Sequence, residues 1–165
     1  MNHPRPKRHW LWGPALASVL LAGWLIAGMP VPGRSTTAPT SSLSEAETRG
    51  QATYQASCAS CHGQRGEGQP DWKRRRTDGT YPAPPHDRTG HTWHHADGLL
   101  FGIVKEGGGF AAPPGYPATM PAWQGTLSDA QIIDVLAYIR TMWGPEEREF
   151  QAKASAQNPF PAGGQ

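Results

Sequence analysis

CASCHGQRGEG, Cys58 to Gly68, holds both cysteines of the 165-residue chain, spaced C-x-x-C with a histidine directly after the second. Four chemistries use such a pair, and the rest of the sequence discriminates among them. A structural zinc site needs four ligands, most often from two cysteine pairs, and the chain has no second pair. A thioredoxin-like redox centre opens a helix after a strand in a βαβ unit, and no strand pattern precedes Cys58. A local disulfide suits an oxidising compartment, yet so short a loop constrains little of the unfolded chain. The remaining reading is C-x-x-C-H as a c-type haem attachment motif, with Cys58 and Cys61 forming thioethers and His62 giving the iron an axial nitrogen. The expected cofactor is therefore one covalently bound haem c.

Haem attachment of this kind goes with export, and the N-terminus agrees. WLWGPALASVLLAGWLIAGM, Trp10 to Met29, runs 20 residues without a charge. At the helical rise that is roughly 30 Å, the thickness of a bilayer core. Arg5, Lys7 and Arg8 precede it and only Arg34 follows closely, so residues 1–9 are expected in the cytoplasm and everything after Pro30 on the periplasmic or extracytoplasmic side. Trp10, Trp12 and Trp24 suit interfacial or membrane positions. The alternative is a cleaved signal peptide with Ala15 to Gly28 as its apolar region. Its best cleavage site, Val31-Pro32-Gly33, is poor, which favours an uncleaved single-pass anchor in the cell membrane. Residues 30–43, PVPGRSTTAPTSSL, form a flexible tether that reaches at most about 50 Å.

The formal net charge of +2 is unevenly placed. Residues 44–165 carry eleven Lys/Arg against thirteen Asp/Glu, so the basic excess belongs to the leader. A globally basic nucleic-acid binder is excluded on this balance, and no nucleic-acid partner is expected. The 20 Gly and 17 Pro point to short helices joined by long, stiff loops. Ser44 and Glu47 form a capping-box pattern, and Leu43, Ala46, Gly50, Tyr54 and Ser57 recur at helical spacing, which predicts a first helix that delivers Cys58. Ser128 and Gln131 repeat the capping signature before an apolar stripe of Ile132, Val135, Leu136, Ile139 and Trp143. Between them a short helix is expected around Leu99 to Lys105, ended by Gly107. Gly144-Pro145 closes the last long helix; in the tail, residues 145–165, a short exposed helix over EEREFQAKA and a frayed end over NPFPAGGQ, residues 158–165, are expected. No alternating strand pattern of useful length occurs, so the fold class is all-α.

Over about residues 44–144, the sequence resembles the class I single-haem cytochromes c. Cys58, Cys61 and His62 match the family's C-x-x-C-H, Gly50 and Tyr54 its small and aromatic pair on the first helix, and Val135 and Tyr138 the pair on the last helix. The resemblance implies a cytochrome c-like fold in which haem-wrapping helices with long loops bring these two helices together at Gly50. It also implies an axial methionine in the loop before the final helix, which points to Met120 in GYPATMPAWQG, stiffened by Pro117 and Pro121. Met1 and Met29 fall in the leader and Met142 near the end of the last helix. The family's Gly-Pro-x-Leu segment, whose proline carbonyl meets the axial imidazole, is replaced here by Ala83-Pro84-Pro85, and Pro84 is the residue named for that role.

The expected function is that of a membrane-tethered carrier of single electrons between exported or membrane redox proteins, such as a respiratory complex or terminal oxidase, and not of an enzyme. Lys73-Arg74-Arg75-Arg76 would steer an acidic partner. Two alternatives stand beside it. One is a haem-based small-ligand sensor or peroxidase-like enzyme in which Met120 leaves the iron. The other is an exported copper-handling or assembly factor that uses His86, His91, His94 and His95, any of which is also a rival for the sixth haem ligand.

Overall fold

The computed structural model describes residues 42–162, so the expected membrane segment and nearly all of the tether lie outside the described residues. Among the described residues, no helix is long and apolar enough to cross a membrane. Among the described residues, five helices follow one another: α1 (Glu45–Ser57), α2 (Ala59–His62), α3 (Asp97–Glu106), α4 (Asp129–Thr141) and α5 (Pro145–Ser155), with a single 3-10 turn at Thr92–His94 before α3. No strand occurs among the described residues, only an isolated bridge between Gln124 and Leu127.

Local chemistry sets where α1 and α4 begin. The Ser44 hydroxyl accepts from the Glu47 backbone N–H at 3.3 Å while the Glu47 carboxylate accepts from the Ser44 N–H at 2.7 Å. Ser128 and Gln131 make the same reciprocal pair, at 3.3 and 2.9 Å. Each pair satisfies two backbone donors that a helix start otherwise leaves open, a stabilisation of about 1 kcal/mol.

The two capped helices cross at Gly50, where an added Cβ would lie 1.9 Å from the Asp134 carbonyl oxygen. Only a glycine lets the backbones approach so closely. Beside the crossing, Arg49 donates from Nε to Asp134 Oδ2 at 2.7 Å and from Nη2 to Oδ1 at 3.1 Å, a two-point clamp between the helices. Tyr54, Ile132, Val135, Leu136, Tyr138 and Ile139 fill the space around it, and α3 adds Leu100, Phe101 and Val104. Fully burying an aliphatic or Phe side chain of this kind contributes about 1.5–3 kcal/mol, so this cluster dominates the stability of the fold. Of the predicted α1 stripe only Gly50 and Tyr54 are buried; Leu43 is exposed.

The C-terminal end departs from expectation. α5 is not a loose exposed helix, because Glu147, Gln151 and Ser155 are buried on its inner face. Glu147 accepts from Arg88 Nε at 3.0 Å, and Ser155 Oγ accepts from the Asp97 N–H at 3.0 Å. Asp97 also pairs with Arg140 and Gln151. Beyond the helix, the Asn158 carbonyl accepts from Gly98 N–H at 2.9 Å and Phe160 packs edge-on against Phe101, so the expected fraying does not begin at residue 158.

Candidate haem site

α1 ends one residue before Cys58, and the short α2 carries Cys61 and His62. Cys58 is half-buried and Cys61 is exposed. Burial, with the neighbouring Cys61 adding to it, pushes the Cys58 thiol up to about 11. The Tyr54 hydroxyl donates to the Gly63 carbonyl at 2.9 Å and ties the end of α2 back to α1.

His62 is buried, and its Nδ1 lies 2.9 Å from the Pro84 carbonyl oxygen. Since a carbonyl only accepts, Nδ1 carries the proton and Nε2 keeps its lone pair free. Burial pushes the His62 imidazole below its ordinary range, and the bond to Pro84 offsets part of that. The ring is therefore held neutral in a tautomer set by the chain, with the Nε2 lone pair available to a metal.

Met120 lines the same cavity as His62. Its carbonyl accepts from Gly108 N–H at 3.0 Å, and after it Trp123 N–H donates to Val104 O at 3.2 Å and Gln124 N–H to Lys105 O at 2.9 Å. The loop is thus stitched to the end of α3. Met142 is committed elsewhere: a Cβ added to Gly66 would lie 2.5 Å from its sulfur. Cys58, Cys61, His62, Pro84 and Met120 all line one cavity of about 890 Å³, whereas Met142 does not.

The lining of this cavity has two characters. Leu100, Val104, Val135, Leu136 and Ile139 give it an apolar floor. Trp72, Lys73, Arg76, His91 and His95 give it a polar, cationic border. Four of these are in contact: Lys73 Nζ sits 4.9 Å above the Trp72 ring, Trp72 stacks on His91 at 5.3 Å, and His91 meets His95 edge-on at 5.2 Å. His91 Nδ1 is buried there without a hydrogen-bond partner. A flat apolar macrocycle bearing two carboxylates suits such a lining, and the volume falls within the usual range for ligand sites.

The histidines do not form a cluster around one point. Among the described residues, no group of three or more His, Cys, Asp or Glu is placed to hold a metal ion. His91 stacks on Trp72 and touches His95, His94 lies against Trp93 and Phe150, and His86 stacks on His62. Among the described residues, no such donor set supports the copper reading. His86 also fails as a sixth ligand opposite His62: trans ligands point their nitrogens at one another across the iron, whereas these rings lie face to face with centroids 4.0 Å apart. Burial, with His62 and His91 adding to it, pushes the His86 imidazole well below its ordinary range. Beyond the position of His86 directly after two prolines, nothing in the amino-acid order signals this stack.

A family model described as Cytochrome c matches residues 47–143, more than half of the chain. The chain belongs to the cytochrome c family. The cytochrome c domain binds covalently attached haem c, and Cys58 and Cys61 fit its C-x-x-C-H motif. Such domains carry out haem-based electron transfer, typically as carriers rather than enzymes, with redox proteins as partners. Searches of curated proteins and of solved structures returned no match.

Proposed function

We propose that this cytochrome c is a membrane-tethered carrier of single electrons, with Cys58 and Cys61 as thioether anchors and His62 and Met120 as the axial pair. The observation that carries this reading is the convergence of the α2 motif and the Met120 loop on one cavity, with the Pro84 carbonyl facing His62 Nδ1. When bound, haem supplies an iron that alternates between ferric and ferrous. The chain's own residues do the rest. Pro84 fixes the orientation of the His62 ring and raises its basicity. The bonds from Trp123 and Gln124 to the end of α3 hold the Met120 loop against the cavity, so that a weak thioether ligand is kept in place by the fold. The apolar floor lowers the local dielectric and limits access of water, which favours the less charged ferrous state.

Tethering rests on the uncharged run from Trp10 to Met29 and the basic residues before it. The domain would then face the periplasmic or extracytoplasmic side and meet exported or membrane redox proteins, such as a respiratory complex or terminal oxidase. Lys73 and Arg76, on the cavity border, favour a partner with an acidic face.

The test is the optical spectrum of the purified protein and of Met120→Ala. The native ferric form should show the far-red band of a Met-ligated iron, and the variant should lose it while keeping haem through denaturation. Rapid and complete carbon monoxide binding by the native ferrous protein at neutral pH would instead favour the small-ligand sensor or peroxidase-like reading. Recovery of the protein in the membrane fraction, and its release by cutting within residues 30–43, tests the tether.

A further inference from the structure

A histidine that binds iron through one nitrogen keeps one soft motion, rotation of the ring about the bond to the metal. An in-plane hydrogen bond at the other nitrogen resists that rotation from one edge. In this chain a second restraint acts on the face of the ring. The His86 imidazole stacks on His62 with centroids 4.0 Å apart and planes inclined by 23°. His86 cannot easily yield, because four contacts fix it. Its Nδ1 is 2.9 Å from Thr92 Oγ1, and Thr92 is buried. Its backbone N–H donates to Gly66 O at 2.7 Å, and its carbonyl accepts from Trp143 Nε1 at 2.8 Å. Tyr54 meets its ring edge-on at 6.2 Å.

The edge and the face of His62 are therefore held by one three-residue unit, Pro84-Pro85-His86, whose two prolines have fixed φ. We infer that His86 is a positioning residue that sets the plane of the His62 imidazole about the iron, through ring stacking and without binding the metal. The inference rests on His62 being an axial ligand. Orientation of a ligand by groups behind it is a general lever on a metal centre, and aromatic face contacts contribute about 0.5–1.5 kcal/mol beyond their buried area.

The plane of an axial imidazole governs the in-plane magnetic anisotropy of low-spin ferric haem, so the readout is the spread of the haem-methyl resonances in the paramagnetic proton spectrum, with the ferric electron paramagnetic resonance spectrum as a second measure. His86→Ala should change the methyl spread and the rhombic splitting while covalent haem and low-spin character persist. His86→Phe, which restores an aromatic face, should return both toward the native pattern. Thr92→Val keeps the side-chain shape but frees the His86 ring, and should move the spectra in the same direction as His86→Ala by a smaller amount.

Native spectra in both His86→Ala and Thr92→Val would overturn the inference. Should His86→Ala fail to accumulate, an unchanged Thr92→Val spectrum overturns it alone. His62→Ala, measured in parallel, separates the two levels: loss of the low-spin signal there with no response to the His86 or Thr92 changes removes only the positioning role. A low-spin signal that survives His62→Ala removes the ligand assignment and the inference together.

Discussion

A single methyl group on Gly50 would stand 1.9 Å from the carbonyl oxygen of Asp134 and 3.0 Å from Tyr138 Cβ. The obstacle is backbone, so no side chain can turn away to make room, and α1 must separate from α4. Gly50→Ala should therefore destabilise the domain by about 3 kcal/mol or more, despite the better helix propensity of alanine. Denaturant unfolding followed by circular dichroism checks this; a loss below about 1 kcal/mol would mean that the crossing is looser than described.

Tyr54 makes a smaller but separable contribution. Its hydroxyl donates to the Gly63 carbonyl at 2.9 Å, directly after the haem-attachment motif, and burial first of all pushes its ionisation well above the ordinary tyrosine range. Gly63 O keeps a second donor, Gly66 N–H at 3.3 Å. Tyr54→Phe should cost only about 1 kcal/mol of stability while leaving the spectrum in place. Thermal melts of the two forms provide the comparison.

The two methionines of the described domain should behave oppositely. Met120 lines the cavity, whereas the sulfur of Met142 lies against Gly66. Met142→Leu should leave the ferric spectrum and ligand binding unchanged and cost less than about 1.5 kcal/mol. Met120→Leu should open the iron to added imidazole or cyanide, with binding at least about tenfold tighter than in the native protein, an advantage of about 1.4 kcal/mol for a vacant site. Equilibrium titrations monitored by absorbance would show both effects.

Acid sensitivity should have a contribution from Glu147. The hydrogen bond from Arg88 is the main cause that holds its carboxyl below the ordinary value of 4.5. Because the folded-state value is lowered, the ionised form favours the folded state, and this contribution is complete above that ordinary value. It disappears as pH falls through the folded-state value. Glu147→Gln should thus be less stable than the native protein at neutral pH, and the gap should narrow as pH falls below the ordinary value of 4.5. A stability profile over pH 3 to 7 tests the sign; a gap that widens on acidification would refute it.

The parts of this fold that were legible in the sequence are those set by local chemistry. Ser44 with Glu47, and Ser128 with Gln131, announce helix starts because both halves of each cap lie three residues apart. The stripe of Ile132, Val135, Leu136 and Ile139 announces a buried face because its members are apolar. α5 escaped the same logic. Its inner face is Glu147, Gln151 and Ser155, at helical spacing but polar, buried through pairing with Arg88 and Asp97 that lie far away in sequence. The histidines needed the fold for a related reason. Their closeness in sequence says little, since the coil from residue 63 to 91 turns His86 toward His62 and His91 toward Trp72.

The docking of α5 bears on where the domain ends in practice. The family pattern stops at residue 143, yet Arg88 and the start of α3 are gripped by residues 147–158. A gene fragment cut at Trp143 would encode every feature by which the family is recognised. It would also remove the buttress behind the histidine-bearing coil, so an expression boundary drawn by homology would fall one helix short of the folding unit.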